Sequence, residues 1–260
     1  MKINLFLEFL NKLRNFITSE SDKGKNIIIY EKTSDPLEFF EHSQIKVEVD
    51  KHKDIILEEE TSLELGGIKR KSFSLVYPFL NRDFINHIKN GRITLIGLES
   101  KDLLDLSTDF GMIILIGVRN INEKNLESLR HFNLLSNGIE GFLIRTIPRK
   151  FWCRISENIR PCFSFEFLGN AIIYLYKQRF EDLIESMEII FINSYTDVID
   201  EIIEISSKIT ISRNKKWVKK IEEWKKRIDC EYDWGCEICP YKEECYGIKR
   251  VLVEREKFEK

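Results

Sequence analysis

Met112-Ile113-Ile114-Leu115-Ile116-Gly117 decides the fold of this chain, together with its upstream echo Arg92-Ile93-Thr94-Leu95-Ile96-Gly97. Each is a short, largely β-branched apolar run closed by glycine. Runs of this kind hide both faces, as the inner strands of a helix-covered sheet do. Working outward, Gly141–Thr146 and Glu188–Asn193 read as further strands, and Trp152–Ile155 as one that pairs beside Gly141–Thr146. Helical periods lie between and after them. Asn122–Leu135 has Asn122 as its N-cap. Phe165–Phe180 is a strongly apolar helix and so largely buried; Val198–Ile209 starts near Thr196 or Asp197, and Ser212–Ile228 is the last long helix. Upstream, Asn26–Tyr30, Ile45–Val49, Asp54–Glu58 and Phe73–Tyr77 suggest short strands, and Glu64–Gly67 ends in a glycine pair suited to a tight turn. The expectation is an α/β (mixed α+β) protein. It has one main domain, with a mixed sheet flanked by helices and a C-terminal cysteine-rich loop.

The chain has 260 residues, enough for one large core. Its 41 basic and 43 acidic side chains leave a net charge of −2, which offers no global field for nucleic acid or an acidic membrane. No uncharged apolar window is long enough to span a bilayer, so no membrane association is expected. Met1–Ile17 is interrupted by Lys2, Glu8, Lys12 and Arg14 and lacks the continuous apolar core of a signal peptide. Leu5, Phe6, Phe9, Leu10, Leu13, Phe16 and Ile17 follow a helical period instead, with Thr18–Lys25 as a polar linker. The expected home is the cytoplasm, where thiols stay reduced. Three segments are expected: an N-terminal helix with short strands over 1–60, the α/β domain over 61–228, and a metal-binding tail over 229–260.

Four cysteines crowd that tail. Cys230, Cys236, Cys239 and Cys245 form C-x5-C-x2-C-x5-C. Four thiolates in one short loop suit a single tetrahedral metal or one cubane, that is, [4Fe–4S] or zinc. Zinc ribbons generally use two x2 pairs and this run has one, which favours the cluster. Pro240 fixes the backbone beside Cys239, and Gly235 permits close approach at Cys236. Trp234, Tyr232, Tyr241 and Tyr246 are placed to shield the site from water. Cys153 and Cys162 stand apart in apolar surroundings and read as small buried side chains.

Other constellations are weaker. Lys215, Lys216, Lys219, Lys220, Lys225, Lys226 and Arg227 share Ser212–Ile228 with a stripe of Trp217, Ile221, Trp224 and Ile228. Two readings stay open: a solvated face over an ordinary packing stripe, or a docking patch for an acidic partner such as a ferredoxin. His42, His52, His87 and His131 are scattered, with no second ligand at metal-binding spacing. Glu166, in an apolar stretch, reads as a satisfied half-buried carboxylate rather than a catalytic one.

Several stretches, in order, resemble the beta subunit of the archaeal acetyl-CoA decarbonylase/synthase complex. They are Leu63-Glu64-Leu65-Gly66-Gly67, Arg92–Gly97, Phe110-Gly111-Met112-Ile113-Ile114, Phe151-Trp152-Cys153-Arg154-Ile155-Ser156 and Phe165-Glu166-Phe167-Leu168-Gly169. Trp234-Gly235-Cys236-Glu237-Ile238-Cys239 is similar to the opening of that family's nickel–iron–sulfur loop. The resemblance runs from about Leu63 to Cys239. It implies that family's middle domain followed by a truncated cluster loop, since no cysteine follows Cys245. It also implies a methanogenic archaeon, a strict anaerobe, as the source. The expected role is accessory: electron transfer, or assembly within a CO dehydrogenase/acetyl-CoA synthase-type complex. Two alternatives stand beside it. One is an enzyme acting on coenzyme A thioesters or one-carbon units at an open-site cluster; the other is a zinc-stapled binding protein.

The resemblance further implies a coenzyme A site built from an aromatic ring and several arginines. Trp152 stands here among Arg145, Arg149, Lys150, Arg154 and Arg160, of which Trp152 and Arg154 match the family stretch. Guanidinium suits phosphate by paired donation, and an indole face suits an adenine. The competing reading has the cations solvating a strand edge and Trp152 in the core.

Overall fold

Strand β6 (Phe110–Val118), which contains the quoted run, is buried at every position. It lies between β3 (Ser72–Phe79), which runs parallel to it, and β9 (Ile184–Asn193), which runs antiparallel. β9 pairs on its other edge with β4 (Ile93–Ile96) in parallel, and β4 with β1 (Ile27–Tyr30) in antiparallel. The resulting sheet has the order β1-β4-β9-β6-β3. The computed structural model describes residues 3–31, 40, 45–48, 56–67, 70–79, 85–119, 129, 138–147 and 150–207. The chain divides into two compact units, Met1–Ile205 and Ser206–Lys260, and every described strand belongs to the first.

A second sheet, ordered β5-β2-β8-β7, stands apart from the first. It holds β2 (Thr61–Gly66), β5 (Ser107–Thr108), β7 (Phe142–Ile147) and β8 (Lys150–Ser156). The α/β class is as expected, but the strands divide between two sheets rather than one. The aromatic side chains show why. Phe110 of β6 has Phe151 of β8 at 5.0 Å and Phe191 of β9 at 5.6 Å between ring centroids, with Phe165 stacked at 6.0 Å. A core of that thickness fills the space between two facing layers. Helix α2 (Phe165–Arg179) seals it, and Ser164 caps the helix by accepting from the Phe167 N–H at 3.0 Å.

Helix α1 (Ile3–Asp22) buries Phe9, Leu10, Leu13 and Phe16, and Phe9 lies 4.8 Å from Tyr77 of β3. These residues recur at the period expected from the sequence. The polar linker expected over Thr18–Lys25 is helical as far as Asp22. Thr18 folds its hydroxyl back onto the Arg14 carbonyl at 3.1 Å, and buried Glu20 takes Lys23 at 2.6 Å. The helix then stops at Gly24, whose φ is +79°. The Lys25 N–H reaches the Glu20 carbonyl and the Gly24 N–H that of Ser21, which is the Schellman arrangement.

Glu188 of β9 is fully buried at the α1 face of the sheet. Arg14 of α1 holds both its oxygens, Arg92 donates to it at 3.0 and 3.2 Å, and the Lys89 N–H at 2.9 Å. The carboxylate has a full set of charged and backbone donors, which a buried charge requires.

Other expectations meet mixed outcomes. Ile45–Val49 supplies only a bridge between Val47 and Ile139 among the described residues. The end of Asp54–Glu58 is a turn into β2, with the Glu60 carboxylate accepting from the Leu57 N–H at 3.0 Å and the Thr61 hydroxyl donating to the Leu57 carbonyl at 2.7 Å. Glu64 through Gly66 lie in β2, and the glycine pair ends that strand with φ of +69° and +105°. A helix starts at residue 196, as expected, and is described as far as 207. Of Asn122–Leu135 only Leu129 is described; Ser212–Ile228 and the cysteine run lie outside the described residues.

Candidate functional site

The alternation of β8 places the candidate residues. Phe151, Cys153 and Ile155 point into the core, so Lys150, Trp152, Arg154 and Ser156 share the other face. Register then brings neighbours to Trp152. Arg145 of β7 is its cross-strand partner on one side and Gly66 of β2 on the other. Arg154 pairs with Glu64 of β2. Three of the predicted residues therefore meet. The guanidinium carbons of Arg154 and Arg145 lie over the indole at 4.9 and 5.6 Å, within the range of a cation–π contact.

The two cations differ. Arg154 donates from Nε to Glu64 at 3.0 Å and from NH1 to the Ile56 carbonyl at 3.2 Å, with Glu58 at 4.0 Å. Its side chain is 17% exposed. Arg145 is exposed, and it lies against the indole. Gly67 closes the site beneath Trp152. A Cβ there would sit 2.9 Å from Trp152 Cδ1 and 3.2 Å from Glu64 Oε1, and its φ of +105° already favours glycine. The ring edge packs directly on backbone for that reason.

Arg160 is placed elsewhere. It follows β8 in a 3₁₀ turn (Arg160–Cys162) and donates to the Ser100 and Leu103 carbonyls at 2.6 and 3.1 Å. Burial pulls its affinity for a proton down, and its NH1 is buried without a hydrogen-bond partner. It ties two loops together rather than joining the Trp152 face. Arg149 lies outside the described residues.

Cys153 is fully buried, and burial followed by the nearby Glu64 charge pushes its thiol well above the ordinary range. That suits an inert core side chain. Cys162 is exposed rather than buried, because the 3₁₀ turn carries it to the surface. Among the described residues no three His, Cys, Asp or Glu side chains group to hold a metal. Cys230, Cys236, Cys239 and Cys245, the expected ligands of the sequence reading, lie outside the described residues.

A second polar corner escaped the sequence reasoning. Glu99, after β4, accepts from the Tyr30 hydroxyl and from the Ser100 N–H at 2.7 Å. Glu166, in the first turn of α2, has its carboxyl pushed up by burial and then by the Glu99 charge. Apolar neighbours marked Glu166 in the sequence; nothing local marked Glu99.

No helix among the described residues is long and apolar enough to cross a membrane. The beta subunit of the acetyl-CoA decarbonylase/synthase complex from Methanopyrus kandleri is 28% identical over 97 residues, 36% of this chain. The match spans 21% of that relative's length. A family model described as the CO dehydrogenase/acetyl-CoA synthase complex beta subunit matches residues 44–198, well over half of the chain and every described strand from β2 to β9. By that match, this chain belongs to the CO dehydrogenase/acetyl-CoA synthase complex beta subunit family.

Proposed function

We propose that this protein binds coenzyme A on the Trp152 face of its second sheet and carries an iron–sulfur cluster on Cys230, Cys236, Cys239 and Cys245. The observation that carries the ligand reading is the half-buried Trp152 with two guanidiniums over it, on a face turned away from the core. Adenine stacks on such a ring, and exposed guanidinium and ammonium groups at Arg145 and Lys150 suit its phosphates. A bound [4Fe–4S] cluster would supply one-electron transfer. The role this supports is accessory, as an electron carrier or assembly factor beside the subunits of a CO dehydrogenase/acetyl-CoA synthase-type complex. Its setting is the reducing cytoplasm of an anaerobic archaeon, where exposed clusters survive.

Anaerobic purification with iron and sulfide analysis tests the cluster. About four of each per chain are expected. One zinc and no visible colour would turn the run into a structural staple. Calorimetry with coenzyme A tests the ligand. Binding is expected for the natural protein and not for Trp152→Ala, and no heat at millimolar coenzyme A would sink the assignment. The lysines of Ser212–Ile228 suit an acidic redox partner such as a ferredoxin. Capture of that partner should weaken as salt rises.

A further inference from the structure

The two guanidiniums over Trp152 are alike in distance from the ring and unlike in everything else. We infer that they have separate tasks: Arg145 is the group that leaves the indole to bind a ligand's phosphates, and Arg154 is a positioning residue that stays.

Arg154 has two of its nitrogens hydrogen-bonded and its charge met. Glu64 faces it across the β2–β8 ladder at 3.0 Å, the Ile56 carbonyl takes NH1, and Glu58 stands at 4.0 Å. A phosphate arriving there would displace a carboxylate and meet its repulsion. Arg145 has no such partner among the described residues. It is exposed, and moving it off the ring forfeits only one exposed cation–π contact. Lys150, on the same face of β8 and two positions from Trp152, adds a second exposed cation towards the β7–β8 turn.

The site therefore has a direction. The ligand's ring takes the place of Arg145 on the indole, and its phosphates extend towards Arg145 and Lys150. The Glu64–Arg154 end is neutral and keeps the indole in place. That end also presents Glu64 Oε1 close to the indole edge, as the shared contacts at the Gly67 Cβ position show. The orientation rests on the coenzyme A reading and adds to it which residue touches the anion.

Calorimetry with three probes separates these claims: adenosine, ADP and coenzyme A. Arg145→Ala should weaken ADP and coenzyme A by about tenfold or more, the worth of a charge-assisted hydrogen bond, and leave adenosine within about twofold. Arg154→Ala should weaken all three by one common factor, because it loosens the ring rather than the phosphate contact. Where Arg154→Ala fails to fold, Glu64→Gln serves instead. It frees the Arg154 charge, so phosphate-bearing probes should bind it more tightly and Arg145→Ala should cost less in its background. A phosphate-selective loss in Arg154→Ala, or an Arg145→Ala that weakens adenosine and ADP alike, would overturn the division of tasks while leaving the ligand intact. A natural protein that binds none of the three would remove the coenzyme A reading itself and this inference with it.

Discussion

Glu166 shows what a single position contributes through its surroundings. Burial and Glu99 both oppose its ionisation, so the folded protein holds a proton there at a pH where the unfolded chain has released it. Folding stability then falls as pH rises from the ordinary carboxylate range through the raised folded value. Glu166→Gln removes that penalty. It should raise the thermal midpoint at neutral pH and leave it nearly unchanged below the ordinary glutamate range. Melts of both proteins at pH 4 and pH 7.5 decide the matter, and an equal gain at the two pH values would contradict the account. Asp197 works with the opposite sign. The Lys25 ammonium lowers its carboxyl, so its contribution is present at neutral pH and lost as pH falls through the folded value.

At the scale of elements, α1 is held to the sheet by an apolar stripe and by one buried charge cluster. Glu188 has no route to water, so Glu188→Ala leaves Arg14 and Arg92 facing a cavity and should cost about 3 kcal/mol in urea unfolding. Adding Arg14→Met to that variant should cost little more, since the guanidinium has already lost its partner. Strictly additive losses would show that the cluster is not a unit. Leu13→Ala, fully buried in the stripe, should cost about 2–5 kcal/mol by the same measurement. These elements also show what could be read in advance. β4, β6 and β9 announce themselves because strands buried on both faces need largely apolar runs. The last turn of α1 does not, because its residues are polar and a back-bonded threonine, a buried glutamate and a glycine cap decide it. The Trp152–Arg154 alternation is legible as an outward face. Arg145 joins it through strand register, whereas Arg160 leaves it because a 3₁₀ turn re-aims its side chain at the Ser100 and Leu103 carbonyls. The Arg14–Glu188 pair joins positions 174 residues apart, beyond any local pattern.

For the whole molecule, the unit Met1–Ile205 folds round its own core, and its described residues offer no metal ligand set. On the proposed cluster reading, a chelator under reducing conditions should bleach the visible spectrum and leave the main unfolding midpoint in place. Circular dichroism before and after treatment is the check. Collapse of the sheet signal on metal loss would mean that the cysteine run supports the core.

The order of the first sheet has a consequence for how the chain is made. Its middle strand, β9, is the last of the five to be synthesised, and the partner of Arg14 rides on it. Ribosomes add about 5–20 residues per second, so α1 spends roughly 10–35 seconds outside the exit tunnel before Glu188 follows it. In the later part of that interval, once β6 is made, β4 and β6 have no strand between them, and their apolar runs are open to wrong neighbours. The stretch between the making of β6 and the making of β9 is therefore when these runs most need shielding by holding chaperones, and slower translation over residues 119–183 would lengthen the exposure rather than relieve it.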